Sequence, residues 1–246
     1  MKFSIITITY QDSIGLRRTL KSLAKFSKKK YEHIIIDGGS KDETLDIIRE
    51  YNRRIDKWLS EPDKGIYDAM NKGIELVDND DNIVSFLNSG DQALKNYLNG
   101  PRKCFLQNLE IDYCYGGLIL VGKKKESFYM PKTFHKKKEY LQRMVFPHPA
   151  LFVKKRLFSE IGNFNLKKKI TADHEWCVRL IQSEARGKKL DSYLVKFRLG
   201  GASIKLSAQF EIFKTAIFFK RNTLKACLFF VRQILVYLFY NLKSKN

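Results

Sequence analysis

The first hundred residues predict an α/β fold with a mostly parallel sheet flanked by helices. Three observations carry this. Short apolar, β-branched runs alternate with segments of helical hydrophobic spacing, the repeat lengths suit βα units, and two of the runs end on an aspartate set among small residues. With 246 residues and 44% hydrophobic content the chain is long enough for a substantial core, and 14 glycines with five prolines exclude a collagen-like or linker-dominated chain.

In chain order, Phe3 to Thr9 reads as a buried strand. Ile14, Leu16, Leu20, Leu23 and Phe26 then recur at roughly helical spacing. Tyr31 to Ile36 is a second buried strand, closed by Asp37-Gly38-Gly39-Ser40. Helical spacing resumes from Asp42 through Leu45, Ile48 and Tyr51, and Ser40-Lys41-Asp42-Glu43 has the pattern of a capping box. A short run at Lys57-Trp58-Leu59 precedes a helix from about Ile66 to Val77. Asn82 to Leu87 is another strand, closed by Asn88-Ser89-Gly90-Asp91. Beyond residue 100 the pattern loosens. Strand-like stretches lie near Tyr113 to Val121, Ala150 to Val153 and Tyr193 to Arg198, with lysine clusters at 123–125, 136–138 and 167–169 between them. From about Lys205 a helical pattern runs nearly to the C-terminus.

Charge divides the chain in two. The net charge is +20, yet residues 1–100 hold 16 basic and 16 acidic side chains while residues 101–246 hold 30 and 10. The neutral front half suggests a ligand site and the basic rear half an anionic partner, whether nucleic acid, a lipid surface or a phosphate-rich substrate. The four cysteines show no CxxC or metal-ligand spacing, which favours a reducing compartment. The N-terminus turns polar too early for a signal peptide, so an intracellular protein is expected.

In parallel α/β sheets, ligands bind beyond the carboxyl ends of the strands. Acids directly after strands therefore carry weight. Asp37 is one, followed by two glycines that allow close backbone approach, with a capped turn as the alternative. Asp91 is the other, a hard oxygen ligand suited to Mg²⁺ or Mn²⁺ against a diphosphate, with a plain Gly-Asp turn as the alternative.

These acids, taken in order with the segments around them, resemble the family 2 glycosyltransferases of the GT-A fold. The matching segments are Ser4-Ile5-Ile6-Thr7-Ile8-Thr9-Tyr10, Asp37-Gly38-Gly39-Ser40-Lys41-Asp42-Glu43-Thr44, the stretch from Ser60 to Gly73 (SEPDKGIYDAMNKG), Phe86-Leu87-Asn88-Ser89-Gly90-Asp91, and Ala172-Asp173-His174-Glu175-Trp176-Cys177-Val178-Arg179-Leu180. The third and fourth are similar to the subgroup that builds bacterial capsule, O-antigen and colanic-acid-type polysaccharides. The resemblance implies an inverting transferase using a nucleotide-sugar donor, probed first as a UDP-sugar. It places Thr9, Tyr10, Asp37, Gly38, Asp63, Asn71, Ser89 and Gly90 around the nucleotide-sugar, with Asp37 accepting from the base or ribose, Asp63 near the base and Asn71 near the sugar or diphosphate. Asp91 becomes the ligand of a divalent metal, Mn²⁺ or Mg²⁺. The chain departs from the family's aspartate-x-aspartate pattern, since Asn88-Ser89-Gly90 supplies no second acid, so diphosphate oxygens and water must complete the shell. Asp173 matches the catalytic base, with a helix N-cap as its structural alternative. Glu175 is the rival base, two residues on and therefore pointing elsewhere. His148, Glu175 and Ser203 are possible substrate contacts, the last in a Gly200-Gly201-Ala202-Ser203 segment similar to a "GGxS" loop of the subgroup.

The expected organisation is a GT-A domain over residues 1–204, with a nucleotide-sugar half (1–100) and an acceptor half (101–204), followed by a basic helical tail (205–246). On a helical wheel Lys214, Arg221, Lys225, Arg232 and Lys243 share one arc. Lys225 and Arg232 interrupt the apolar run, so an interfacial helix on an anionic membrane surface is favoured over a spanning one, with packing on protein as the alternative. The expected acceptor is a polyprenyl-diphosphate-linked glycan at the inner face of the cell membrane. Two rival readings are a nucleic-acid-binding protein, disfavoured by bare lysine triplets and the neutral front half, and an inactive homologue. The sequence leaves the oligomeric state open.

Overall fold

A computed structural model of the chain describes residues 1–122, 125–131, 146–199, 206–219 and 231. Its front half follows the predicted alternation. β1 (Phe3–Thr9) leads to α1 (Ser13–Leu23), β2 (Tyr31–Asp37) to α2 (Thr44–Glu50), β3 (Lys57–Ser60) to α3 (Ile66–Glu75), and β4 (Ile83–Phe86) closes the series. β1 pairs in parallel with β2 and with β4, and β2 pairs in parallel with β3. Successive strands thus grow outward from β1 on one side, and β4 then returns to its other side. That reversal opens a crevice beyond the carboxyl ends of β1 and β4.

The rear half supplies β5 (Gln92–Ala93), α4 (Asn99–Gln107), β6 (Tyr113–Val121), β7 (Glu126–Tyr129), β8 (Leu151–Lys154), α5 (Arg156–Ile161), α6 (Ala172–Gln182), β9 (Gly187–Arg198) and α7 (Leu206–Phe218). The described strands form one sheet in the order β3-β2-β1-β4-β8-β6-β9-β5, with β7 on β6. β8 runs antiparallel to both β4 and β6, whereas β9 is parallel to β6. This is the mostly parallel, helix-flanked sheet expected from the sequence.

Apolar side chains from alternate positions fill both faces. Ile6, Ile8, Ile34 and Ile36 meet Met70 and Ile74 of α3 on one face, in a cluster that continues to Trp176 and Leu180 of α6. Ile35 meets Leu16, Leu20, Ile47 and Ile48 of α1 and α2 on the other. A third cluster, around Phe3, Tyr97 and Phe152, sits under α4 and β9.

Several local expectations change. Helix α2 begins at Thr44, and the expected capping box is not formed. Asp42 instead accepts from the Thr44 N–H and hydroxyl, while the Ser40 hydroxyl turns back to Asp37. Strand β9 starts six residues before Tyr193, because its first half pairs with β6 from Tyr113 onward. Helix α7 and the residue after it pack on the core through Phe213 and Phe219, so the front of the predicted tail lies on the helical layer of the sheet. The greater part of the cationic stripe, from Arg221 on, lies outside the described residues. No helix among the described residues is long and apolar enough to cross a membrane.

Candidate active site

The crevice at the strand reversal is a cleft of about 650 Å³, lined by Thr9, Tyr10, Asp12, Gly38, Asp63, Ile66, Asn88 and Ser89 among others. The ends of β1, β2 and β4 supply most of this wall, and the start of α3 supplies the rest. Two buried polar atoms on the cleft, Thr9 Oγ1 and Asn88 Oδ1, have no hydrogen-bond partner. Buried polar groups are almost always paired, so unpaired oxygens on two residues of the cleft wall suit a site whose polar groups rearrange around a ligand.

The expected nucleotide residues divide into lining and scaffold. Tyr10, 63% exposed, stands at the mouth of the cleft. Asp63 accepts from the Gly65 N–H at 2.8 Å and lies so close to Gly38 that a β-carbon there would sit 2.6 Å from its Oδ2. A side chain at position 38 would displace the Asp63 carboxylate from its place on the cleft wall. The Gly38 N–H donates to Thr9 O at 3.0 Å, which ties the first two strand ends together. Ser89 donates its hydroxyl to Asp12 Oδ2 at 2.6 Å, and the Gly90 N–H donates to Thr19 Oγ1 at 3.1 Å.

Two residues sit differently from expectation. Asp37 is fully buried, and its carboxylate accepts from the Gly39 and Ser40 N–H groups and from the Ser40 and Ser60 hydroxyls. It shapes the turn that presents Gly38, and in this structure its two oxygens already accept four hydrogen bonds within the turn and from β3. Asn71, expected near the sugar or diphosphate, has both amide atoms engaged by the Phe164 backbone at 3.0 Å, which fixes α3 to the loop before α6.

Asp91 is 4% exposed, and its carboxylate accepts one weak bond, from the Arg198 N–H at 3.3 Å. Burial pushes its carboxyl up to about 7, against a slight downward pull from that N–H. An under-satisfied buried carboxylate is the kind of group a cation stabilises, and to that extent the residue fits a metal ligand. No cluster of three or more His, Cys, Asp or Glu side chains able to hold a metal occurs among the described residues. Any ion here takes most of its oxygens from ligand and water.

Asp173 lies in the first turn of α6, where the helix dipole favours a carboxylate. Thr171 is the N-cap, so the N-cap alternative for Asp173 is excluded. Its Oδ1 accepts from its neighbour's N–H, that of His174, at 2.8 Å and faces the Tyr67 hydroxyl at 2.9 Å. Tyr67 follows Ile66, which lines the cleft, so the start of α3 links the cleft to Asp173. Glu175, named above as a rival base and possible substrate contact, is buried and clamped by Arg179 through two bonds of 3.0 and 3.1 Å. It is a structural ion pair. His148 is buried, stacked on Phe86 at 5.0 Å and edge-on to Phe164. Burial lowers its pKa and the charge of Asp173 raises it, with burial winning. Ser203 lies outside the described residues.

Sequence reading passed over Asp12, Asn88 and Tyr67. Asp12 had a signal of the kind used for Asp37, an acid shortly after a strand, and it caps α1 through the Gly15 N–H at 3.0 Å.

A strand-reversal cleft, tied through Tyr67 to a carboxylate on a later helix, fits the GT-A fold that the sequence resemblance implies. Residues 4–183 match the family model "Glycosyl transferase family 2", and the chain belongs to that family. An uncharacterized glycosyltransferase of Mycobacterium tuberculosis is 34% identical over 186 residues, 72% of this chain and 67% of that protein. A PGL/p-HBAD biosynthesis glycosyltransferase of Mycobacterium bovis is 30% identical over 191 residues, 74% and 71% of the two chains. Among solved structures, S. aureus TarS superposes with a TM-score of 0.67 at 18% identity, over 95% of this chain but 43% of TarS. A shorter form, TarS 1-349 in complex with UDP-GlcNAc, gives 0.64, at 18% identity over 95% of this chain and 72% of that one. The mannosyltransferase PcManGT from Pyrobaculum calidifontis, in complex with GDP-Man and Mn²⁺, gives 0.64 at 15% identity over 88% and 64% of the two chains. The structural likenesses establish the fold.

Proposed function

We propose that this glycosyltransferase moves a hexose from a UDP-sugar to a lipid-linked glycan, with inversion at the anomeric carbon. The observation that carries the reading is the cleft at the end of β1 and β4, whose lining includes Thr9, Asp63, Asn88 and Ser89 together with Ile66, the neighbour on α3 of the Tyr67 that bonds Asp173. A nucleotide-sugar lying in this cleft points its anomeric carbon toward Asp173. The acceptor hydroxyl attacks that carbon, the bond from carbon to the diphosphate oxygen breaks, and Asp173 takes the hydroxyl proton. The nucleoside diphosphate leaves. A divalent cation bound at Asp91, with diphosphate oxygens and water, would offset the charge on that leaving group.

UDP is favoured by the TarS complex with UDP-GlcNAc; the PcManGT complex with GDP-Man keeps GDP as the comparison. A lipid-linked acceptor, on a glycan of the capsule, O-antigen or colanic-acid type, is supported by the sequence motifs; the relative named for PGL/p-HBAD biosynthesis keeps a different glycoconjugate as the comparison. The concentration of excess positive charge after residue 100 supports delivery to an anionic membrane surface.

Calorimetric titration with UDP and GDP, with and without Mn²⁺, tests the donor site beside Asp63→Ala and Asp91→Ala. Expected is manganese-assisted binding of UDP that weakens in both variants. Binding of neither nucleotide under any condition sinks the reading.

A further inference from the structure

The Lys169-Ile170-Thr171 segment, immediately before α6, is gripped by one side chain from α7. Glu211 Oε1 accepts from the Lys169 N–H at 3.1 Å, and its Oε2 accepts from the Ile170 N–H at 3.1 Å, the Thr171 N–H at 3.0 Å and the Thr171 hydroxyl at 3.0 Å. Thr171 is the N-cap of α6, yet its own side chain makes no capping bond within the helix. Its hydroxyl is given to Glu211 instead. The same segment is held from the opposite side by α3, because the Tyr67 hydroxyl faces Ile170 O at 2.6 Å as well as Asp173 Oδ1. Asp173 follows Thr171 by two residues.

A carboxylate that accepts four hydrogen bonds and is anchored by a packed helix is more than a surface contact. Phe213 and Phe219 seat α7 against the core cluster that contains Tyr67, Ala172 and Trp176. Burial works against the charge on Glu211, but the N–H groups of Ile170 and Lys169 and the Thr171 bonds hold its carboxyl below the usual range. It remains an acceptor throughout the neutral range.

We propose that Glu211 is a positioning residue for Asp173, through which α7 straps the entry of α6 and fixes where the carboxylate of Asp173 points. This rests on the assignment of Asp173 as the base. The four side-chain hydrogen bonds of Glu211 go to residues 169–171 and none to a residue that lines the donor cleft, so its contribution belongs to the chemical step and not to nucleotide binding. Misplacing a reacting group by about 1 Å costs on the order of 100-fold in rate. In Glu211→Gln one carbonyl oxygen still serves the donors now on Oε2, while the amide NH₂ confronts the Lys169 N–H. Glu211→Ala leaves all four donors to water.

Hydrogen–deuterium exchange of the full chain is the test, run beside UDP calorimetry and UDP release from a panel of UDP-hexoses. In Glu211→Ala the amides of residues 169–171 should exchange at least about 10-fold faster. Release of UDP should fall about 10- to 100-fold in kcat, with donor KM and UDP affinity unchanged. Glu211→Gln should fall between wild type and Glu211→Ala on both measures, and it keeps the test usable if the alanine variant folds poorly. Unchanged exchange overturns the contact. Faster exchange with an unmoved kcat, or a loss of UDP affinity that parallels the loss of kcat, overturns the positioning role. A wild-type chain that binds UDP but turns over no UDP-hexose overturns the UDP-hexose donor of the proposed function and, with it, the catalytic meaning assigned to the strap, while the exchange difference still reports the contact.

Discussion

The Tyr67 hydroxyl lies 2.9 Å from Asp173 Oδ1 and 2.6 Å from the carbonyl oxygen of Ile170. It has one proton and faces two acceptors. Burial raises the phenol's pKa, and the charge of Asp173 raises it further, so the hydroxyl stays protonated at every pH of interest. The side chain that starts α3 therefore orients the carboxylate that starts α6.

Replacing Tyr67 with Phe removes that donor while keeping the ring against Phe164. A hydrogen bond to a charged group contributes about 1.5–3 kcal/mol. Loss of about 10-fold or more in kcat is expected, with UDP affinity unchanged by calorimetry. Equal kcat in the variant and the wild type would mean that Asp173 is oriented by its own helix alone.

Asp91 carries a pH signature. Its folded carboxyl titrates near 7 against an ordinary 3.8, so the folded state holds the proton more tightly than the unfolded chain does. Stability is then highest at low pH with respect to this group, and declines as pH rises from about 4 to 7. In metal-free buffer at pH 8, Asp91→Asn should be more stable than wild type by up to about 4 kcal/mol in urea unfolding. Adding Mn²⁺ with UDP should stabilise wild type more than Asp91→Asn. EDTA should reverse that gain.

His33 runs the other way. It is buried beside the Thr7 hydroxyl, which donates to Leu87 O at 2.9 Å and so accepts from His33 Nε2, also at 2.9 Å. Burial, then the charge of Lys28, lowers its pKa to about 3, against 6.5 when unfolded. The stability this represents is complete above about 6.5 and is lost as pH falls toward 3. Wild type should lose about 2–3 kcal/mol from this group between pH 7.5 and 4.5, and a His33→Gln variant should show a correspondingly flatter slope.

The front half of the fold was legible because each buried strand must end in a tight polar turn, which Asp37-Gly38-Gly39 and Asn88-Ser89-Gly90-Asp91 announce in one dimension. Strand β5, with two residues, is too short to display a period, and β7 is exposed along its whole length, so it carries no alternation of buried and exposed positions. Partners across the fold were not legible. Asn71 has the residue type of a ligand contact, yet its amide matches the Phe164 backbone, which lies 93 positions away. The bonds from Glu211 to the α6 entry likewise join segments separated by about 40 residues, and no local pattern marks them.

Gly73 sits where α3 crosses β1. A β-carbon there would lie 2.5 Å from Ile6 Cγ2, and Ile6 is fully buried with no free space to retreat into. Over-packing of this kind costs about 1–3 kcal/mol, which outweighs the helix propensity gained over glycine. Gly73→Ala should lower the unfolding midpoint and push α3 outward, and α3 carries both Ile66 of the cleft and Tyr67. UDP affinity should weaken alongside stability. A variant that loses stability but binds UDP as wild type does would show that α3 yields at its C-terminal end alone.

Arg179 is the most heavily used cation near the site. It makes two bonds to Glu175 and donates to the carbonyls of Ile161, Gly162 and Asn163, which hold the loop after α5 against α6. Removing one partner of a buried pair costs about 3–5 kcal/mol, and the partly exposed Arg179 lowers that figure here while its loss also frees three backbone carbonyls. Arg179→Ala should therefore destabilise the protein far more than Glu175→Gln, which keeps an acceptor for the guanidinium. If Glu175 were the base, Glu175→Gln would abolish transfer while leaving the fold intact. With Asp173 in that role, Glu175→Gln should retain most activity and Asp173→Asn almost none. Thermal melts and UDP release on the three variants separate the two assignments, because only the base shows a loss of turnover without a matching loss of stability.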